Sequence, residues 1–127
     1  MEIFSARFIY RREKVFNAST YLKFLHQVAK RFHHKHIFYI QDNASYHKDG
    51  DVFLWFKDHK RWIQVVNLPP YSPEFNVTER LWQHTRKNGT HNQCFISEIE
   101  VYKAVTRVFK SIQKHPDKIR GYLRPFL

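Results

Sequence analysis

Two carboxylates, Asp42 and Glu79, are the residues of this chain whose positions best suit chemistry. Asp42 directly follows the apolar run HIFYIQ, residues 36 to 41. In open α/β sheets, ligands collect at the carboxyl ends of strands, where the sheet fixes the backbone and leaves the side chain free. One or two carboxylates, with water and substrate phosphate, hold a hard cation such as Mg²⁺ at such a place. The alternative is an Asx turn that ends the strand.

Glu79 lies near the start of a predicted helix, three residues after the expected N-cap Asn76. On the functional interpretation, it belongs to the first helical turn and faces the same edge of the sheet as Asp42. On the structural interpretation, it reaches back to the amide of the cap residue, as in a capping box. The two are compatible, because a helix N-terminus also attracts phosphate.

The segment LPPYSPEFN, residues 68 to 76, precedes this helix and cannot be regular structure, because three of its residues are prolines within five positions. A rigid segment has few conformers to lose and therefore fixes where the next helix begins. This favours a functional role for Glu79, and a plain proline-rich turn is the alternative.

Positive charge runs along the whole chain. Lysine and arginine number 22 against 11 acids, which gives a net charge of +11. This imbalance favours a nucleic acid as partner, because each neutralised phosphate releases counterions. Four basic side chains lie on or just beyond the helix that contains Glu79: Arg80, Arg86, Lys87 and His91. With Trp82 among them they are typical of a nucleic-acid-binding face, and a solvated face with Trp82 in the core is the alternative.

Other polar residues are weaker candidates for a site. His47, five residues after Asp42, can orient a ligand or contact phosphate, or can lie on the surface without a role. The run HHKH at residues 33 to 36 matches zinc spacing poorly and is better explained as the basic end of a helix. The lone Cys94 can form neither an internal disulfide nor a cysteine-based zinc site.

The elements that position these residues alternate between strand and helix patterns. We predict strands at residues 2–10, 36–41 and 62–67, with residues 14–17 as a hairpin partner of the first strand. Residues 36–41 and 62–67 are apolar enough for strands buried on both faces. We predict helices at residues 17–34, 51–60, 76–88 and 97–115, with an irregular basic tail after Pro116. Expected helix boundaries are a cap at Asn17 or Ser19, a capping box of Ser97 and Glu100, and Gly89 just past the third helix.

This order indicates an α/β fold in which helices pack on a partly parallel sheet. The chain of 127 residues has no internal repeat and no linker, so we expect one domain over residues 1–127. No apolar run approaches the roughly 18 residues of a membrane span, and the N-terminus lacks the pattern of a signal peptide. We therefore expect a cytoplasmic protein with no membrane partner, associated with the nucleoid if it is prokaryotic.

The segments QDNASYH and VVNLPPYSPEFNVTERLW resemble the DDE transposases of the IS630 and Tc1/mariner superfamily. In that family an Asp-Asn pair ends a strand, and a Leu-Pro-Pro-Tyr-Ser-Pro-x-x-Asn-x-x-Glu run precedes a helix that has Trp three residues after the Glu. The matching residues are Asp42-Asn43, residues 68 to 79, and Trp82. The resemblance covers nearly the whole chain, from IFSARF to the last helix, and implies a ribonuclease-H-like mixed sheet with flanking helices.

The resemblance also implies metal-dependent cleavage and transfer of DNA strands. Three carboxylates of the family hold two Mg²⁺ or Mn²⁺ ions, which activate water or a 3′-hydroxyl and stabilise the leaving oxygen. By resemblance, Asp42 is the second acid and Glu79 the third. The implied partners are transposon-end and target DNA, and such transposases usually act as homodimers.

The first acid of the family has no match near the N-terminus, where Glu2 is the nearest acid. We therefore expect the C-terminal part of a catalytic domain that lacks its first strand. It would be a relic or the downstream product of a split reading frame, inactive without an upstream fragment. One alternative is a non-catalytic DNA-binding module of the same fold. Another is a complete nuclease that uses Asp49 or Asp51 as its further acid.

Overall fold

The computed structural model describes residues 1–33 and 35–127, which divide into two compact units. We call residues 9–76 the strand unit, and residues 1–8 with 77–127 the helical unit. The elements are α1 (Ala18–Arg31), β1 (Ile37–Gln41), α2 (Gly50–Asp58), β2 (Ile63–Asn67), α3 (Val77–Thr85), α4 (Glu98–Lys114) and α5 (Asp117–Leu123). The predicted α/β class is confirmed. The last predicted residue of the first helix, His34, lies outside the described residues.

The strand unit is built around a parallel pair of strands. β1 and β2 pair in register from Ile37 with Ile63 to Gln41 with Asn67, and α2 connects them. Asn17 caps α1 as predicted, because its side chain accepts a hydrogen bond from the amide of Thr20 at 3.0 Å. Both helices cover one face of the sheet, where the buried core comprises Tyr21, Leu25, Val52, Trp55, Phe56 and Ile63.

The other face of the sheet is open. Side chains alternate between the faces of a strand, and Phe38, Ile40 and Val66 on this second face are 74%, 47% and 43% exposed. The prediction that both strands are buried on both faces is therefore wrong. The apolar runs suggested two covered faces, but α1 and α2 lie on the same side.

The strands predicted at residues 2–10 and 14–17 are also wrong, because residues 1–16 contain no strand. The Glu2 carboxylate accepts hydrogen bonds from the amides of Phe4 and Ser5, each at 2.9 Å, and so turns the chain locally. Ala6 then adopts a left-handed backbone with φ of 58°. A β-rich composition needs a ladder partner to form a strand. The sheet of the described residues is thus parallel, and the ribonuclease-H-like topology stays a prediction.

The helical unit contains α3, α4 and α5, and α4 begins near the predicted capping box. The Ser97 hydroxyl accepts from the Glu100 amide at 3.4 Å, as predicted. Glu100 accepts instead from the amide of Ile96, at 2.9 Å, one residue before the cap. No helix within the described residues is both long enough and apolar enough to cross a bilayer.

The tail is helical, so the prediction of an irregular tail is wrong. α5 is followed by a 3₁₀ turn at Arg124–Phe126. Ile119 and Leu123, four residues apart, are 0% and 1% exposed, and this burial holds a short helix that contains Gly121.

We predicted that Gly89 lies just past the end of the third helix, and this is wrong. Gly89 lies inside a π-helical turn at Arg86–Thr90 that extends α3. It is buried against α4. A Cβ atom at Gly89 would lie 2.8 Å from Cγ2 of Val108 and 3.5 Å from the carbonyl oxygen of Ala104. Glycine is therefore required here for close packing of the π turn on α4.

We predict that Gly89→Ala lowers the free energy of unfolding by about 1–3 kcal/mol, the usual effect of overpacking a core. Val108 is β-branched and held in a helix, so it cannot easily move aside. Urea denaturation followed by circular dichroism measures the change.

Gly121→Ala is the matched control, because a Cβ atom there meets nothing within 4 Å. In a helix interior it should raise the free energy of unfolding by roughly 0.5–1 kcal/mol. If both variants shift stability in the same direction, the packing explanation is wrong.

Candidate functional site

The carboxyl ends of β1 and β2 are joined by side-chain hydrogen bonds. Gln41, the last residue of β1, is only 6% exposed. The Tyr21 hydroxyl donates to its Oε1 at 2.6 Å, and its Nε2 donates to Oδ1 of Asn67 at 2.8 Å. α1, β1 and β2 are thus tied together immediately before Asp42.

Asp42 is the first residue after β1, as predicted. Its Oδ1 accepts from the amide of Ala44 at 3.1 Å, so the Asx turn considered from the sequence is present. Asn43 beside it donates to the carbonyl of Leu68 at 2.6 Å, which anchors this turn to the segment after β2. The Asp42 side chain is nevertheless 58% exposed. The carboxylate therefore both ends the strand and presents oxygen to solvent.

His47 is held against Asp42 by a 3₁₀ turn at Ser45–Lys48. Its Nδ1 lies 2.9 Å from the backbone oxygen of Asp42 and 3.0 Å from Oδ1 of the same residue. The ring packs on Tyr21 and Tyr46 with centroid distances of 4.3 and 4.5 Å, and the side chain is 10% exposed. His47 is thus placed to orient Asp42, and its contact with DNA stays a prediction.

The tyrosines beneath this turn keep their protons at physiological pH. Burial raises the pKa of Tyr21 far above its usual value, and nearby Tyr39 raises it further. Burial raises the pKa of Tyr39 to about 12. Burial, together with the negative charge of Asp42, also raises the pKa of Tyr46. Tyr21 therefore stays a hydrogen-bond donor to Gln41 across the physiological pH range.

Asp42 borders an open cleft of about 730 Å³ within the strand unit. Three lysines of the same unit also line it: Lys48, Lys57 and Lys60. A carboxylate at one end and ammonium groups along the wall suit an anionic ligand that meets a cation at Asp42.

The proline-rich segment after β2 is mostly irregular, as predicted, with one 3₁₀ turn at Pro73–Phe75. The amide of Phe75 donates to the carbonyl of Ser72 at 3.2 Å and closes this turn. Tyr71 has a left-handed backbone with φ of 55° and a fully exposed ring. Left-handed backbone at a residue other than glycine is strained, and such strain collects at functional sites.

Glu79 is the third residue of α3, in the helical unit, and is half-buried. Gln83 and Arg86, four and seven residues further on, share its face and are exposed. The buried residues of α3 are Leu81, His84 and Thr85. Glu79 therefore lies on the outward side of its helix. Its bond to the cap residue and its pairing with Asp42 stay predictions.

The predicted cationic face is presented by α3 and the π turn. Arg86, Lys87 and His91 are exposed. Arg80 is half-buried, and its guanidinium lies 5.8 Å from the centroid of the Phe126 ring. Their binding to DNA stays a prediction. Trp82, which we considered for the core, is 41% exposed. Its ring packs on that of the buried Phe109, with ring centroids 5.7 Å apart.

His84 contributes no charge to this face. It is 9% exposed, and its Nδ1 has no hydrogen-bond partner in the described part of the chain. Burial lowers its pKa, and the positive charges of Lys118 and Lys87 lower it further. The imidazole is therefore neutral at neutral pH and acts as a packing residue against Tyr122, 5.4 Å away between centroids.

Within the described residues, no group of three His, Cys, Asp or Glu side chains is arranged to hold a metal ion. Asp49, considered as a further acid, caps α2 by accepting from the amide of Asp51 at 2.8 Å. The bonds that join Tyr21, Gln41 and Asn67 were not predicted. Their only signal in the sequence was an amide residue at the end of each apolar run.

We predict that Tyr21→Phe lowers the free energy of unfolding by about 1–3 kcal/mol, because Oε1 of the buried Gln41 loses its donor. Tyr46→Phe is the matched control, since no hydrogen bond of its hydroxyl is present in the described residues. It should change the free energy by less than about 0.5 kcal/mol. Urea denaturation of both variants checks this, and equal effects would contradict a structural role for the Tyr21 bond.

The chain is similar in sequence to known proteins. The family model described as DDE superfamily endonuclease matches residues 5–101. An insertion element IS630 uncharacterized 39 kDa protein of Shigella sonnei is 32% identical over 87 residues, which cover 68% of this chain and 25% of that protein. The transposable element Tcb2 transposase of Caenorhabditis briggsae is 28% identical over 71 residues, 51% of this chain and 25% of that protein. The chain thus spans about a quarter of the length of these relatives. No solved structure matches it.

Proposed function

The chain belongs to the DDE superfamily of endonucleases, and we propose that Asp42 and Glu79 are two ligands of its divalent-metal site for cleaving and joining DNA strands. The geometry of Asp42 is the main observation that supports this proposal. Hydrogen bonds around it fix the backbone at the end of β1, while its carboxylate stays 58% exposed. Carboxylate oxygens are the ligands that Mg²⁺ and Mn²⁺ prefer, so this donor fits the metal that the family uses.

Support for Glu79 comes from the order of residues along the chain and from its place on α3. The family pattern of prolines, Asn and Glu ends at Glu79, and Trp82 follows three residues later. Glu79 is on the outward face of the first turn, where the helix N-terminus also favours phosphate. Arg86, Lys87 and His91 are exposed further along, and we propose that they hold the DNA backbone.

When two Mg²⁺ or Mn²⁺ ions are bound, they supply an activated water or 3′-hydroxyl and stabilise the leaving oxygen. The residues of this chain would bind the metal ions and the DNA phosphates and orient them. Asp42 and Glu79 would hold these cations. His47 orients the Asp42 carboxylate through Nδ1, and Lys48, which lines the adjoining cleft, would neutralise phosphate.

We propose that a third acid comes from another segment of the transposase, because two carboxylates only partly offset the repulsion between two dications. The whole catalytic domain would then be ribonuclease-H-like, would act on transposon-end and target DNA, and would work as a homodimer. This polypeptide by itself is expected to cleave DNA little.

A second candidate function is a non-catalytic DNA-binding module. It is favoured by the net charge of +11, which suits a polyanion with or without a bound metal. It predicts DNA binding that is sensitive to salt, needs no metal and survives Asp42→Ala.

We predict that Asp42→Asn and Glu79→Gln each weaken Mn²⁺ binding by about tenfold or more, equivalent to about 1.4 kcal/mol per ligand lost. Electron paramagnetic resonance of free Mn²⁺ measures the affinity. Asp58→Asn and Glu98→Gln remove the same charge from exposed positions in each unit and are the controls. If all four variants bind Mn²⁺ equally, the proposed ligands are wrong.

A nicking assay on supercoiled plasmid extends this test to catalysis. The polypeptide should nick DNA in Mg²⁺ only after addition of a family segment that carries the first acid, and Asp42→Asn should abolish that nicking. Activity that persists in Asp42→Asn would contradict the proposed mechanism.

A further inference from the structure

A cationic surface lies at the amino ends of the strands, opposite the edge that carries Asp42. α1 and α2 both end there, and β1 and β2 both begin there. We call this surface the amino-end patch. It comprises Lys30, Arg31, Lys35, Lys57, Lys60 and Arg61, with the rings of Phe32, His36 and Trp62.

The two segments that form the amino-end patch are in direct contact. The amide of Ile37 donates to the carbonyl of Trp62 at 2.8 Å. The His36 and Trp62 rings lie 5.3 Å apart between centroids. The amide of Lys35 also donates to the carbonyl of Phe32, at 3.1 Å. The patch is therefore one surface of the strand unit.

The charge of this surface is concentrated and unneutralised. Residues 30–36 and 57–62 contain six of the chain's 22 lysines and arginines but only one acid, Asp58. All six cationic residues are exposed. None of them forms an ion pair with an acid in the part of the chain that the structure describes. Such a surface attracts a polyanion.

The helix dipole does not account for the whole patch. Cations stabilise a helix C-terminus only within its last turn. α1 ends at Arg31 and α2 ends at Asp58, so Lys35, Lys60 and Arg61 lie beyond both helices. These three residues need another explanation.

Aromatic rings give the patch a second feature of nucleic-acid surfaces. The Arg61 guanidinium lies 5.5 Å from the centroid of the Trp62 ring, and that of Arg31 lies 5.9 Å from the centroid of Phe32. Trp62 is 40% exposed. A planar guanidinium suits phosphate, and an exposed ring offers a stacking face for a base or sugar.

We propose that the amino-end patch binds the phosphate backbone of a DNA segment, at the opposite end of the strands from Asp42. β1 has five residues, and at about 3.3 Å per residue the patch lies roughly 17 Å from Asp42. Lys57 and Lys60 also line the cleft that Asp42 borders, so the cationic path continues along α2 toward that residue. The proposal requires no metal and applies equally to a nuclease and to a binding module.

Charge reversal in the full chain tests the amino-end patch. The variant combines Lys30→Glu, Lys35→Glu and Arg61→Glu. Its control combines Lys103→Glu, Lys110→Glu and Lys114→Glu, which make the same charge change at exposed positions on α4. Fluorescence anisotropy with a labelled duplex of about 20 base pairs is measured at several KCl concentrations in EDTA. Circular dichroism checks that both variants fold.

The patch variant should bind at least about tenfold more weakly than the parent. Its slope of log affinity against log salt should be smaller by about 2–3, since each lost phosphate contact removes about 0.9. The control should lose less than about threefold. Equal losses in both variants, or no loss in either, would overturn the proposal, and an acidic protein would then be the better partner.

The fluorescence of Trp62 reports DNA binding at the patch itself, and a change in the overall charge of the protein does not alter it. DNA should quench the fluorescence of the parent, and Trp62→Phe should remove that part of the signal. Quenching that is unchanged in Trp62→Phe would also overturn the proposal. Because EDTA removes divalent ions, neither measurement depends on Asp42 or Glu79. The experiments can therefore contradict DNA binding by the patch without contradicting the proposed metal site, and they can contradict the metal site without contradicting the patch.

Discussion

The site depends on the parallel pairing of β1 with β2. Hydrogen bonds of the Gln41 side chain stabilise this pairing at the carboxyl ends of the strands. The Gln41 side chain joins α1 through Tyr21 and β2 through Asn67. Because the bond between Tyr21 and Gln41 is buried, breaking it leaves a polar atom without a partner in a region of low dielectric. Asp42 follows at once, so its backbone position is fixed even though its carboxylate is open to solvent.

The strand–helix–strand connection also separates opposite charges. Strands end at one edge of the sheet, and the helices that lead into them end at the other. Asp42 therefore lies at the carboxyl edge, whereas Lys35 and Arg61 lie at the amino edge. At a separation of roughly 17 Å, beyond the Debye length at physiological salt, their attraction is largely screened. Carboxylate and cations thus stay available for different ligands.

Patterns that are local in the sequence predicted local structure well. The apolar period and caps placed α1 and α4, and the two apolar runs placed β1 and β2, with Asp42 after the first. Properties that depend on distant partners were missed. The N-terminal segment has strand composition but no ladder partner. Only the packing of α4 shows that Gly89 is buried, and only the fold brings Tyr21 to Gln41.

The central proposal is that Asp42 and Glu79 are two ligands of one divalent-metal site. Fe²⁺ can replace Mg²⁺ among carboxylate ligands, and with ascorbate and peroxide it cleaves the polypeptide beside the bound metal. Mass spectrometry of the fragments locates the cuts. The account predicts cuts beside both residues, and the loss of both in Asp42→Asn and in Glu79→Gln alike. Cuts beside only one of them, or cuts near Glu79 that persist in Asp42→Asn, would contradict it.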